Sequence, residues 1–274
     1  MNEIPFAEAR RRFAQFAILS SISSVGELRD LLILKGGNAL DFVWNPNRST
    51  TDLDFSTNHD PRGGELWLET LQSDFDLGLR QIDGEFGVRA FTQKWVLYPQ
   101  EPATGFAAIS GTVGYALPDE LSLRQRMTLG RPSANVVPID ISINDPICAY
   151  IDLELLPGSH IRVAVLEDIV AEKLRALLQQ STRNRYRGQD VLDLAVLLRS
   201  DHVLNVRNVR EYLIAKCNAR NILLAYGAFT TADVRMRALQ GYDQLAATSR
   251  NIFVPFDAAF EELLAFLESL ELPD

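Results

Sequence analysis

The sequence predicts an α+β protein, with helices and a sheet over residues 1–160 and a mostly helical region over 161–274. Three observations carry this. Between residues 31 and 155, several segments alternate carboxylate with apolar residues, or gather β-branched and aromatic residues between turn formers, as strands do. Beyond residue 163 the apolar residues recur at helical spacing. No internal repeat or low-complexity linker interrupts the chain.

Residues 1–30 predict one or two short amphipathic helices, with Phe6, Phe13, Phe16 and Ile18 facing inward and Arg10, Arg11 and Arg12 outward. LLILKGG is a short apolar segment stopped by glycines, and NALDFVW after it is able to start a helix. TDLDFS, GVRAFTQKWVLYP, ISGTVGYAL and VVPIDISIN are expected strands, with loops such as NHDPRGG between them. VAVLEDIVAEKLRALLQQ carries apolar residues at 166, 169, 170, 174, 177 and 178, a helical stripe. QDVLDLAVLLRS predicts a second helix. PFDAAFEELLAFLESLEL predicts a third, with Asp257 as N-cap and Phe260, Leu263, Leu264 and Leu267 on the buried face.

Composition narrows the function. With 47% hydrophobic and 23% charged residues, the chain is neither disordered nor a disulfide knot. Its 27 basic and 36 acidic side chains give a net charge of −9, unsuited to coating DNA or an anionic membrane. One local basic site for a polyanion remains compatible with that charge. No stretch reaches the roughly 18–20 apolar residues of a membrane span, so no membrane is expected. The N-terminus lacks the apolar core of a signal peptide, and the expected compartment is the cytoplasm. Cys148 and Cys217 have no metal-ligand spacing and are expected as buried small residues. His59, His160 and His202 are too scattered for a histidine zinc site.

The chemistry concentrates in KGGNALDFVWNPNRSTTDLDF, residues 35–55. Paired glycines let a backbone approach a phosphate closely, and a helix N-terminus adds an attractive partial charge. Gly36-Gly37 alone is equally an ordinary turn. Asp52 and Asp54 carry more weight. Residues i and i+2 of a strand share a face, and two like charges side by side repel unless a cation lies between them. A Mg²⁺ ion on nucleotide phosphates takes one or two carboxylates, and a third from a neighbouring strand suits a two-metal site. Asp140 is the candidate third ligand, with Ile139 and Ile141 facing the core; alone it is equally a solvent-facing charge.

Two further charges stand out. Lys173 projects from the edge of an apolar helix stripe, either as a snorkelling lysine or as a point charge for a triphosphate. Asp193 is the only charge in VLDLAVLL, and burying it requires a cation partner, either Lys173 or an arginine of STRNRYRGQ. Asp190 shares its helix face. Between Glu172 and Arg199 there are six basic residues against three acidic. Arg183, Arg185 and Arg187 form a candidate contact for an RNA backbone, or a solvated loop.

The order of these features resembles the polymerase-β-type nucleotidyltransferase superfamily: Gly36-Gly37, a short helix, then Asp52-Leu53-Asp54-Phe55, then a distant strand carboxylate. Added to them are Lys35 and Asn38-Ala39-Leu40, Arg48 through Asp54, Glu167 with Glu172-Lys173-Leu174, and Asp190 with Asp193-Leu194. Together the four blocks resemble the AbiEii/AbiGii nucleotidyltransferase toxin family. Asn38 stands where that family often has Thr, and Gln189 where Arg usually precedes the first Asp of the last block. The resemblance implies a mixed sheet flanked by helices over residues 1–160, and a helical region over 161–274 that completes the active site. It implies a toxin of a bacterial toxin–antitoxin pair that transfers a nucleotide from an NTP to an acceptor RNA, tRNA foremost, causing growth arrest or phage defence. Mg²⁺ or Mn²⁺ would be the cofactor and a separately encoded antitoxin the partner. Asp52, Asp54 and Asp140 would hold metal, and Asp140 would alternatively act as base. Lys35, Gly36, Gly37, Arg48, Thr50, Asp190 and Asp193 would serve the nucleotide, and Lys173 its phosphate charge. A protein or small-molecule acceptor on the same fold, or a non-catalytic NTP-binding role, stays open.

Overall fold

The computed structural model describes residues 5–44, 47, 50–57, 65–98 and 107–273, except the side chains of residues 65 and 66. Most of the NPNRSTT and NHDPRGG loops, with His59, lies outside these residues.

The first region runs α1 (Phe6–Ser23), α2 (Gly26–Leu31), β1 (Ile33–Lys35) and α3 (Gly36–Ala39), which continues into a π-helical turn over Leu40–Trp44. Next come β2 (Leu53–Thr57), α4 (Glu65–Phe86), β3 (Arg89–Tyr98), β4 (Ala107–Ala116), α5 (Leu121–Thr128), β5 (Val136–Ile143), β6 (Tyr150–Leu156) and β7 (Ser159–Ala164). The helical region comprises α6 (Leu166–Leu178), α7 (Gly188–Leu198), α8 (Val206–Ala219), α9 (Tyr226–Phe229), α10 (Ala232–Leu239), a 3₁₀ turn at Tyr242–Ala247 and α11 (Phe256–Ser269).

The seven strands form one mixed sheet in the order β3-β4-β5-β2-β1-β7-β6. β2 lies at its centre, antiparallel to β1 and parallel to β5. Alternation along β5 buries Val137, Ile139, Ile141 and Ile143 and leaves Asp140 on the opposite face. β2 likewise buries Leu53 and Phe55, with Asp54 between them. The apolar face joins a core with Ile18 and Ile22 of α1 and Phe75 and Leu79 of α4. The carboxylate face is left for the site, as strand periodicity requires. β7 occupies Ser159–Ala164 and pairs with β1, so residue 160 falls within the sheet and the helical region begins at α6.

The inward face expected for α1 is corrected in part. Phe6 is 76% exposed and Phe13 41%, whereas Ala14, Ala17, Ile18 and Ile22 are buried. Phe6 stacks beneath Arg10, and Phe13 meets Phe86 edge-on. Nor does Arg12 simply face outward, since it bonds Asp41. Helix α4 has no counterpart in the sequence expectations, although Leu71, Phe75, Leu79 and Ile82 mark its buried stripe. Its Gly78 is needed because a Cβ there would lie 2.4 Å from the Ser21 carbonyl of α1. Asp257 is not the N-cap of α11: Pro255 holds that position, and Asp257 in the first turn pairs with Arg235 at 2.6 Å. Cys217 is buried as expected, and Cys148 is half-buried.

Candidate active site

The site grows from the register of three adjacent strands. Lys35 on β1 lies opposite Asp54 on β2, and Asp54 lies opposite Asp140 on β5. Ser110 on β4 extends the row beyond Asp140. Directly paired residues present their side chains to the same face about 4.5–5.5 Å apart, so one cation and two carboxylates stand side by side. Asp52, one residue before β2, completes a trio with Asp54 and Asp140 in which one oxygen from each lies within 4.8 Å of the others.

Such a trio is electrostatically unfavourable alone. Burial, then the neighbouring Asp52 carboxylate, pushes the Asp54 carboxyl up to about 7, against the pull of Lys35 and Lys173. Asp140 is also raised by partial burial and by Asp52, while a hydrogen bond with Ser110 opposes the shift. Two carboxyls displaced upward with a third beside them have the donor set of a hard divalent cation, which would relieve the repulsion. Asp52, Asp54 and Asp140 are the residues able to hold it.

The glycines earn their place by contact. Gly36 has φ +68°, and a Cβ on it would lie 2.5 Å from the Asp54 Oδ2. A Cβ on Gly37 would lie 2.3 Å from the Thr50 Cγ2. The turn is therefore pressed against the carboxylates and against Thr50, and any side chain would separate them. Asn38, buried where the family often has Thr, donates to the Asp52 carbonyl and ties this turn to the carboxylate strand. Arg48 lies outside the described residues.

The helical region closes the opposite wall. Lys173 of α6 is only 7% exposed. Its Nζ donates to Asp190 at 2.8 Å and to Asp193 at 2.7 Å, both on α7. The buried Asp193 thus receives its cation from Lys173, one of the two expected sources. Glycines, Lys35, Thr50, Asp52, Asp54, Lys173 and Asp190 line one open cleft of about 570 Å³. Asp193 supports Lys173 from behind, and Asp140 belongs to the trio at the cleft's sheet side. The three arginines separate. Arg183 and Arg185 are exposed on the turn between α6 and α7, whereas Arg187 is half-buried, lines the cleft and lies 3.5 Å from Asp190. Glu167 points away from the cleft chemistry and accepts from the Asn205 amide.

Several participants, Asp145, Asp168, Arg175, Lys216 and Arg220, belong to no motif in the sequence. Lys35 donates to Ser142 at 3.0 Å and to Asp145 at 2.9 Å, and Asp145 accepts from Arg220 at 2.6 Å. Asp168 and Glu172 line the cleft floor and are served by Lys216 and Arg175. Thr51, Gln189 and Thr248 complete the rim. Asp145, an acid just beyond the apolar β5, was open to the same reasoning that singled out Asp193. Arg220 and Lys216 were not, because only tertiary packing brings the end of α8 against Asp145 and Asp168.

A glycine turn pressed against a carboxylate trio of a mixed sheet, with a buried lysine on the opposite wall, gives a cleft whose lining suits a phosphate ester and a divalent cation. Solved structures share this fold. The chain superposes on MenT4, a nucleotidyltransferase toxin of Mycobacterium tuberculosis H37Rv, with a TM-score of 0.53 and 16% identity over 95% of this chain and 83% of that one. A protein of H. pylori classed as a nucleotidyltransferase gives a TM-score of 0.51 and 14% identity over 97% and 96%. None of the curated protein sequences matches significantly. The family profile described as "Nucleotidyl transferase AbiEii toxin, Type IV TA system" matches residues 17–265. The chain therefore belongs to the AbiEii nucleotidyltransferase toxin family. No helix among the described residues is long and apolar enough to cross a membrane.

Proposed function

We propose that this protein transfers a nucleotide from an NTP to an RNA acceptor, tRNA foremost, in a divalent-metal-dependent reaction, and that it acts in the cytoplasm opposite a cognate antitoxin. The observation that carries this reading is the convergence of Asp52, Asp54 and Asp140 in one trio, with Asp52 and Asp54 lining the same cleft as Gly36-Gly37. Asp52, Asp54 and Asp140 would hold Mg²⁺ or Mn²⁺, which supplies positive charge to the phosphates undergoing transfer.

The remaining chemistry belongs to the chain. Gly36 and Gly37 admit the triphosphate to the backbone, with Thr50 and Arg48 orienting it. Lys35 and Lys173 set ammonium charge on either side of the phosphates. Asp190 and Asp193 hold Lys173 in one rotamer, so little reorganisation accompanies the developing charge. The acceptor hydroxyl oxygen bonds to the α-phosphorus, the bond from that phosphorus to the bridging oxygen breaks, and pyrophosphate leaves. Asp140 is alternatively the base that takes the hydroxyl proton, with Asp52 and Asp54 left to hold the metal. The helical region, from α6 onward, completes the site through Lys173, Asp190 and Arg187. Arg183 and Arg185, exposed beside the cleft, contact the acceptor backbone.

Incubating the protein with each labelled NTP, Mg²⁺ and either total tRNA or lysate protein tests this directly. Label in RNA, lost in EDTA, is expected. Label in protein and not in RNA overturns the acceptor assignment.

A further inference from the structure

Lys35 poses a question of partner choice. Its register partner across β1 and β2 is Asp54, and the next residue in the row is Asp140. A lysine opposite a carboxylate ordinarily pairs with it. Here the ammonium instead bonds Ser142 at 3.0 Å and Asp145 at 2.9 Å, and among the described residues it forms no ion pair with Asp54. Asp145 is 4% exposed, and the Arg220 guanidinium from the end of α8 grips its other oxygen at 2.6 Å. Lys35 and Arg220 together hold the Asp145 carboxyl well below the usual carboxylate range. The lysine is thus tethered from behind by a fixed negative charge.

We infer that Asp145, anchored by Arg220, is a positioning residue that holds the Lys35 ammonium away from Asp52, Asp54 and Asp140, leaving those carboxylates available to a divalent cation. Without the tether, the four-carbon stem lets the ammonium turn to Asp54, its cross-strand neighbour, and compete with the metal for the same oxygens. The helical region thereby governs the metal site from a distance: Arg220 acts on Asp145, Asp145 on Lys35, and Lys35 on the trio. This role rests on the proposal that the trio binds metal.

The test is Mn²⁺ binding to the full-length protein without nucleotide, measured by calorimetry for the wild type, Asp54→Asn, Asp145→Asn, Lys35→Met and the Lys35→Met/Asp145→Asn double variant. Asp145→Asn should weaken Mn²⁺ binding about fivefold, the upper scale of one solvent-exposed ion pair competing for the same oxygens. The double variant should regain the affinity of Lys35→Met, because the competitor is gone. A general structural role for Asp145 predicts the opposite, a double variant at least as weak as Asp145→Asn. That result, or wild-type affinity in Asp145→Asn, overturns the inference. Equal Mn²⁺ binding by the wild type and Asp54→Asn would overturn the metal assignment itself, and the positioning role with it. If Asp145→Asn does not fold, Arg220→Met, alone and with Lys35→Met, supplies the same comparison with the tether loosened rather than removed.

Discussion

Replacing Asp54 with Asn should stabilise the metal-free protein. The Asp54 carboxyl is raised from 3.8 to about 7 by burial and by Asp52. Such a carboxyl binds its proton more tightly in the folded protein than in the unfolded chain. Folding is therefore favoured below the unfolded value and loses stability as pH rises from about 4 to about 7. At about 1.4 kcal/mol for each tenfold change in proton affinity, the ionised group costs the fold up to about 4 kcal/mol at pH 8. Asn is nearly isosteric and uncharged, and the shift is already net of the attraction of Lys35 and Lys173, so the only discount is for solvent screening in the open cleft. A net gain of about 2 kcal/mol is expected, raising Tm by about 4–8 °C for a chain of this size. Thermal unfolding in EDTA at pH 8 and at pH 5.5 reads the effect. The gain should be large at pH 8 and shrink at pH 5.5, where the wild-type carboxyl is mostly protonated. Saturating Mg²⁺ should stabilise the wild type alone, by about 2.7 kcal/mol at a hundred times Kd, and raise its Tm accordingly. A variant less stable than the wild type in EDTA at pH 8, or a gain independent of pH, would refute the electrostatic reasoning.

Other outcomes follow from the same geometry. Asp52→Ala should abolish nucleotide transfer and toxicity while leaving Tm unchanged or raised; survival of toxicity would remove Asp52 from the catalytic account. Lys173→Met should cost about 3–5 kcal/mol in urea unfolding, since it leaves the buried Asp190 and Asp193 facing each other without their shared cation. Adding Asp190→Asn and Asp193→Asn should recover most of that stability. Gly37→Ala should weaken NTP binding because its Cβ would lie 2.3 Å from the Thr50 methyl, and Thr50→Ser, which deletes that methyl, should restore part of it. Arg183→Ala with Arg185→Ala should raise KM for RNA and lower its salt dependence, with NTP binding unchanged.

The predictions differ in how far they were open to sequence reasoning. Strand periodicity sufficed to turn Asp54 and Asp140 away from Ile139 and Ile141, and a helical stripe placed Lys173 at its edge. Those are local properties, because the period of a strand or helix is set by the backbone. The expected inward phenylalanines of α1 failed for the complementary reason: which face of a helix is buried, and how far along, depends on what packs against it. The stripe of helix α4 is written in the sequence too, at Leu71, Phe75, Leu79 and Ile82.

The −9 charge argued against a nucleic-acid coat, and it still does. What changed is where part of that charge sits: three carboxylates in one trio and two beside a buried lysine. By itself the sequence indicated the fold class and, from local spacing, a glycine turn ahead of Asp52 and Asp54 and the faces that carry Asp54, Asp140 and Lys173. Only the tertiary structure decided that Lys173 pairs with both Asp190 and Asp193, that Arg187 turns into the cleft while Arg183 and Arg185 stay outside, and that Asp145 and Arg220 restrain Lys35. Those choices compare competing partners for one charge, and the comparison is settled by which groups a packed sheet and helix layer bring within reach.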